Sequence, residues 1–113
     1  MTSNIKSIAR VLISHGETFH GGRVDEMASD WNCYGFDADQ VDEWCEIGVW
    51  DAGTANELNV AGMKPCDVSE TARRMIEKNG ADAYTSGCPV YAACNGDLSI
   101  RKIVKEWRAM QSE

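Results

Sequence analysis

The chain has 113 residues, of which 43% are hydrophobic and 26% charged, enough for one ordinary soluble domain to bury a core without metal or disulfide support. No apolar run approaches the ~20 residues of a membrane span, and neither Lys6 nor Arg10 is followed by the apolar block and small-residue cleavage site of a secretory signal. The formal net charge of −7 argues against a nucleic acid as direct ligand, since a polyanion is repelled by such a field.

In chain order, residues 4–14 place Ile5, Ile8, Ala9, Leu12 and Ile13 at helical spacing and stop at His15-Gly16. After the break at Gly21-Gly22, residues 23–33 carry Val24, Met27, Ala28 and Trp31 on one face. Residues 37–46 bury Val41, Trp44 and Cys45, with Asp37 and Gln40 reading as a capping box. Residues 51–60 bury Ala55 and Leu58 behind an Asp51 cap with Thr54. Pro65 stands at a first helical position, and residues 66–78 bury Val68, Ala72, Met75 and Ile76 before Asn79-Gly80. Gly87 and Pro89 mark a loop, and Tyr84 to Tyr91 fits neither helix nor strand cleanly. A short apolar stretch, Val90 to Cys94, precedes an Asn95-Gly96 turn. Asp97 then reads as the cap of a last helix, 98–110, with Leu98, Ile100, Ile103, Val104 and Trp107.

Three of these helices end alike. Gly35, Gly48 and Gly62 recur at separations of 13 and 14 residues. Four residues before each stands a large apolar side chain (Trp31, Trp44, Leu58), and directly after each comes another apolar residue (Phe36, Val49, Met63). A glycine that stops a helix in the left-handed conformation lets the next residue fold back onto the helix. Helices of two to three turns are unstable alone and must bury their stripes on one another. The expectation is an all-α fold: a compact bundle of short helices joined by glycine-terminated turns, in a single domain over residues 1–113. The ~13-residue unit is shorter than the common solenoid repeats.

The acid is localised. Between Glu17 and Glu57 stand eleven carboxylates and one basic residue, Arg23, for a segment charge of −10. Within it Asp39, Asp42, Glu43 and Glu46 fall at i, i+3, i+4 and i+7, on one helical face opposite Val41 and Trp44. The stripe reads in two ways, as a solvated surface or as a complement to a Lys/Arg-lined groove. Asp25, Glu26 and Asp30 extend the same field. Trp50 beside the Asp51 cap is either a hydrophobic staple or a partly exposed interface anchor; Asp25, Glu26, Asp30, Asp39, Asp42, Glu43, Glu46 and Trp50 form the candidate partner-binding set.

Catalysis and metal binding find less support. Paired acid–base carboxylates need unlike environments, which an evenly exposed acidic face lacks. Asp37-Ala38-Asp39 opens like a calcium loop, but Asp42 stands where its glycine is required. The five cysteines, Cys33, Cys45, Cys66, Cys88 and Cys94, are odd in number and contain no CxxC; they read as reduced, mostly buried thiols. His15 and His20 flank a glycine-rich loop with no recognised nucleophile context, and Gly21-Gly22 lacks the GK[ST] of a phosphate loop. The Arg73-Arg74 pair and the Arg101, Lys102, Lys105, Arg108 set read as solvated helix faces. No enzyme activity, cofactor, metal or small-molecule substrate is expected.

Several residues carry a family resemblance. They are His15-Gly16-Glu17, Gly21-Gly22-Arg23-Val24 and Ala28 with Trp31; Trp44 with Gly48, and Trp50-Asp51; Leu58 with Ala61-Gly62, and Pro65; and Asn95-Gly96-Asp97-Leu98-Ser99. In these the chain resembles small phage and mobile-element proteins, in particular anti-CRISPR proteins that inhibit type I surveillance complexes. Cys88-Pro89 departs from that likeness. The resemblance implies binding to a Cas protein–crRNA complex in the cytoplasm of a bacterial host, with target DNA blocked. An acidic inhibitor facing a basic DNA channel is physically coherent, because such channels hold nucleic acid by its backbone charge. The alternative is an acidic helical adaptor or regulatory protein-interaction module of a phage or mobile element. A small helix-turn-helix regulator fits less well, because its candidate recognition helices carry no Arg or Lys.

Overall fold

A computed structural model describes residues 2–16 and 24–112. Among the described residues there are seven α-helices and no strand. The helices are α1 (Thr2–Ser14), α2 (Val24–Cys33), α3 (Ala38–Glu46), α4 (Ala52–Val60), α5 (Pro65–Asn79), α6 (Pro89–Cys94) and α7 (Ile100–Gln111). The all-α expectation therefore stands. The readings on Glu17, His20, Gly21-Gly22 and Arg23 fall outside the described residues.

Contacts gather into two units, Met1–Asn56 and Glu57–Glu113, and the division falls within α4. In the first unit α1 packs on α2 and on α3. Its interior is built from Ile8, Leu12, Ala28, Trp31, Phe36, Val41 and Trp44. Ile13 departs from its expected place in the α1 stripe: it is 57% exposed. Ile8 and Leu12, one turn apart on the same face, already fill the buried line, and Ile13 lies beside it. In the second unit α5 packs on α6 and α7, with Val68, Met75, Val90 and Ile103 buried.

The repeated glycine signal corresponds to three Schellman closures. The N–H groups of Phe36, Val49 and Met63 donate to the carbonyls of Trp31, Trp44 and Leu58 at 3.2, 3.0 and 3.1 Å. Those of Gly35, Gly48 and Gly62 donate to Asn32, Cys45 and Asn59, each at 3.0 Å. This double pattern satisfies carbonyls that a helix end otherwise leaves open. All three glycines have positive φ, at 88°, 95° and 98°. The residues on either side of each closure are buried, and the Phe36 ring meets Trp31 edge-on at 5.0 Å.

Two glycines make a contrasting pair for mutation. A Cβ on Gly35 would meet nothing within 4 Å, yet its φ is +88°; Gly35→Ala is expected to destabilise by ~1–2 kcal/mol through backbone conformation alone. Gly53 lies inside α4, and its new Cβ would approach Asp51 Oδ2 no closer than 3.4 Å. Gly53→Ala is expected to stabilise by ~0.5–1 kcal/mol. Urea unfolding of both variants should give opposite signs; a Gly35→Ala variant that is not destabilised would mean that the φ assignment at Gly35 is wrong, and a destabilised Gly53→Ala variant that the helical placement of Gly53 is wrong.

The last helix starts later than its sequence suggests. Asp97 does not cap it; Ser99 occupies that position, and α7 begins at Ile100. Asp97 instead completes a fourth glycine closure, at the end of α6. Its N–H donates to Ala92 O at 2.8 Å, and that of Gly96 to Ala93 O at 3.1 Å. The Asp97 carboxylate accepts from Thr85 Oγ1 at 3.0 Å. The ambiguous segment before α6 forms two 3₁₀ turns, Ala81–Ala83 and Thr85–Gly87. None of the five cysteines is in a disulfide, but only Cys45 is buried, with Cys33 and Cys66 exposed and Cys88 and Cys94 intermediate. Cys33 and Cys66 fall off the buried stripes of their helices, so helical position overrides the usual burial of the thiol.

Candidate functional site

The acidic face is carried by α3, whose start is fixed by local chemistry. Asp37 Oδ1 accepts from the Gln40 N–H at 2.9 Å, and Gln40 Oε1 accepts from the Asp37 N–H at 3.0 Å. This reciprocal capping box sets the helix register. Val41, Trp44 and Cys45 are then buried, and Asp39, Asp42, Glu43 and Glu46 all reach solvent. Neighbouring side chains at these spacings lie ~5–6 Å apart at Cβ, so four carboxylates share one exposed surface.

One member of that stripe has a partner that the spacing does not indicate. His15, at the end of α1, places Nε2 at 2.7 Å from Asp42 Oδ1. A carboxylate only accepts, so Nε2 carries the proton of this bond. The stripe is thus tied to α1 at Asp42. Asp39, Glu43 and Glu46 have no ionic partner among the described residues. His15, Asp42 and Glu46 also bring ligand-type atoms within 4.8 Å of one another. Both carboxylates are exposed, and the set supplies three donors open to solvent, whereas closed structural zinc sites use four. His15 and Asp42 are separated by 27 residues, so no local spacing motif announces this grouping; only the packing of α1 on α3 creates it.

The other members are placed separately. Asp25 and Glu26 stand exposed in the first turn of α2, where negative charge is favoured by the helix dipole. Asp30 is also exposed on α2. Trp50 is half-buried with its ring nitrogen inside. It lines a cleft of about 30 Å³ with Met27, Asp30, Trp31, Asp51 and Ala52. Asp51 caps α4 through Oδ2, which accepts from the Thr54 N–H and hydroxyl at 2.9 and 2.8 Å. Trp50 therefore sits at a helix entry, next to Asp30 of the acidic set.

Comparison with protein families, with curated proteins and with solved structures finds no match to this chain. Among the described residues no helix is long and apolar enough to cross a membrane.

Proposed function

We infer that this chain is a non-enzymatic, anti-CRISPR-like inhibitor that binds a type I Cas protein–crRNA surveillance complex and blocks target DNA. In this reading the acidic face meets the Lys/Arg residues that otherwise hold DNA, inside the bacterial host cell. The observation that carries the reading is the exposed carboxylate face of α3, where Asp39, Glu43 and Glu46 have no ionic partner among the described residues. Side chains ~5–6 Å apart on a helix present a row of negative charge, as the phosphates of a DNA strand do with one charge per ~3.4 Å of helix axis. Asp25, Glu26 and Asp30 add to the attraction, and Trp50 supplies an apolar edge beside them. Nothing in this reading requires a small-molecule substrate, a cofactor or direct contact with nucleic acid.

The test combines a purified type I surveillance complex, labelled target duplex and this protein in a gel-shift competition. The expected result is loss of the DNA-bound complex as the protein is titrated, reversed by excess DNA. The protein alone should leave duplex unshifted at ~150 mM salt. Undiminished DNA binding at saturating protein would overturn the reading. If the complex ignores the protein while another host protein binds the same carboxylates, the adaptor reading takes its place.

A further inference from the structure

The second unit carries a feature of opposite sign that the acidic face does not explain. In a chain of net charge −7, α7 presents Arg101, Lys102, Lys105 and Arg108 with Glu106 as its sole acid. Lys102 and Lys105, one turn apart, line a groove of about 700 Å³ together with Lys78 of α5. Its apolar lining comes from Met75, Tyr84 and Leu98. Met75 is buried, and Tyr84 and Leu98 are partly so, while the three lysines are exposed. The Tyr84 hydroxyl accepts from Asn79 Nδ2 at 2.8 Å, which fixes the ring at the groove edge.

The charges within the groove are unequally used. Glu106, with a side chain only 13% exposed, lies 3.3 Å from Lys78 Nζ and 3.5 Å from Arg74 Nε. That carboxylate thus holds Lys78 and Arg74. Lys102 and Lys105 have no ionic partner among the described residues. Two like charges one turn apart on a helix repel, and their apolar stems border the groove while the ammonium groups stay in water.

We propose that the α5–α7 groove docks an acidic amphipathic helix of a partner protein, with an apolar anchor on the Met75, Tyr84 and Leu98 lining and carboxylates on Lys102 and Lys105. Charge complementarity selects this occupant. Carboxylates at i and i+3 or i+4 of the incoming helix match the one-turn spacing of the two lysines, and the apolar lining between α5 and α7 takes one face of a helix laid along it. The groove is open and mostly lined by exposed residues, which suits an elongated segment better than a small ligand that needs enclosure on most sides. A nucleic acid fits less well: three lysines neutralise few phosphates, and the net charge of −7 opposes a long polyanion. A second copy of this chain could offer α3, but the exposed face of that helix has no large apolar residue for the lining. The docking face lies wholly on residues 57–113 and does not depend on the role inferred for α3.

The experiment uses the full chain and a fluorescein-labelled synthetic helical peptide of about four turns, bearing glutamates one turn apart and a single leucine anchor. Fluorescence anisotropy should show saturable binding that weakens on raising salt. The double variant Lys102→Glu/Lys105→Glu changes only exposed side chains, and circular dichroism will show its fold intact. It should bind the peptide at least ~10-fold more weakly. A peptide with leucine replaced by glutamine should also bind more weakly, which a merely electrostatic contact would not require. Equal binding by wild type and double variant overturns the proposal, as does equal binding of a peptide with lysines in place of glutamates. Tighter, lysine-dependent binding of poly(U) RNA would assign the groove to nucleic acid and overturn it. Concentration-dependent self-association in sedimentation that the double variant abolishes would assign it to a second copy, with the same consequence.

Discussion

Replacing Trp31 by alanine is expected to cost ~3–5 kcal/mol, the range for removing a fully buried aromatic side chain. Trp31 is wholly inaccessible to solvent. It stands in the last turn of α2, where its carbonyl accepts the closing bond from Phe36. The edge-on ring contact with Phe36 adds ~0.5–1.5 kcal/mol beyond buried area, and the alanine variant loses it too. Against a total stability of ~5–15 kcal/mol for a domain, this loss is large. The melting temperature should fall by on the order of 15 °C, followed by far-UV circular dichroism. Trp50→Ala is the control, because Trp50 is only half-buried, and its cost should be clearly smaller. Equal losses in the two variants would mean that the Trp31–Phe36 closure does not anchor α2.

That closure is legible in the amino-acid sequence because its whole chemistry fits within six consecutive residues. Trp31, Gly35 and Phe36 define a helix end by local backbone geometry, and the same holds for Trp44, Gly48 and Val49. Asp37 with Gln40, and Asp51 with Thr54, are local in the same way, and both caps form as expected. The α3 carboxylates are readable from spacing alone, since buried Val41 and Trp44 fix which side faces water. Asp97 shows where local reading breaks down. It satisfies the residue preference for capping α7 and the geometry for closing α6, and the glycine before it decides for closure. Ile13 and the exposed cysteines depart from expectation because position on the helix outweighs residue type. The His15–Asp42 bond is beyond the reach of local pattern: it joins two helices, and nothing near either residue encodes the packing that unites them. The α5–α7 groove is hidden for the same reason, since Lys78 and Lys102 come together only when the two helices pack.

Neutralising the α3 stripe with Asp39→Asn, Asp42→Asn, Glu43→Gln and Glu46→Gln should leave the fold intact and remove most of the attraction to a basic partner. Four like-charged pairs at i,i+3 or i,i+4 are relieved, each worth ~0.2–0.5 kcal/mol. Relief at Glu46, in the last turn of α3, carries a further ~0.3–1 kcal/mol, because negative charge there opposes the helix dipole. Two losses work the other way. Asp39 is in the first turn, where its charge helps by ~0.3–1 kcal/mol, and the exposed His15–Asp42 contact is worth at most ~1 kcal/mol. The net change in stability should therefore fall between a loss of ~1 and a gain of ~3 kcal/mol, which leaves the variant folded. Binding should respond much more. Electrostatic steering raises association rates by ~10-fold or more at low salt, so the neutralised protein should associate at least that much more slowly with a type I surveillance complex. Its dependence on ionic strength should flatten, because fewer charges are left to screen. Surface-bound complex and injected protein at two salt concentrations give both readings, with a melting curve as the folding control. Unchanged rate and unchanged salt slope in a folded variant would show that these four carboxylates are solvated surface, and the inhibitory reading would lose the face on which it rests.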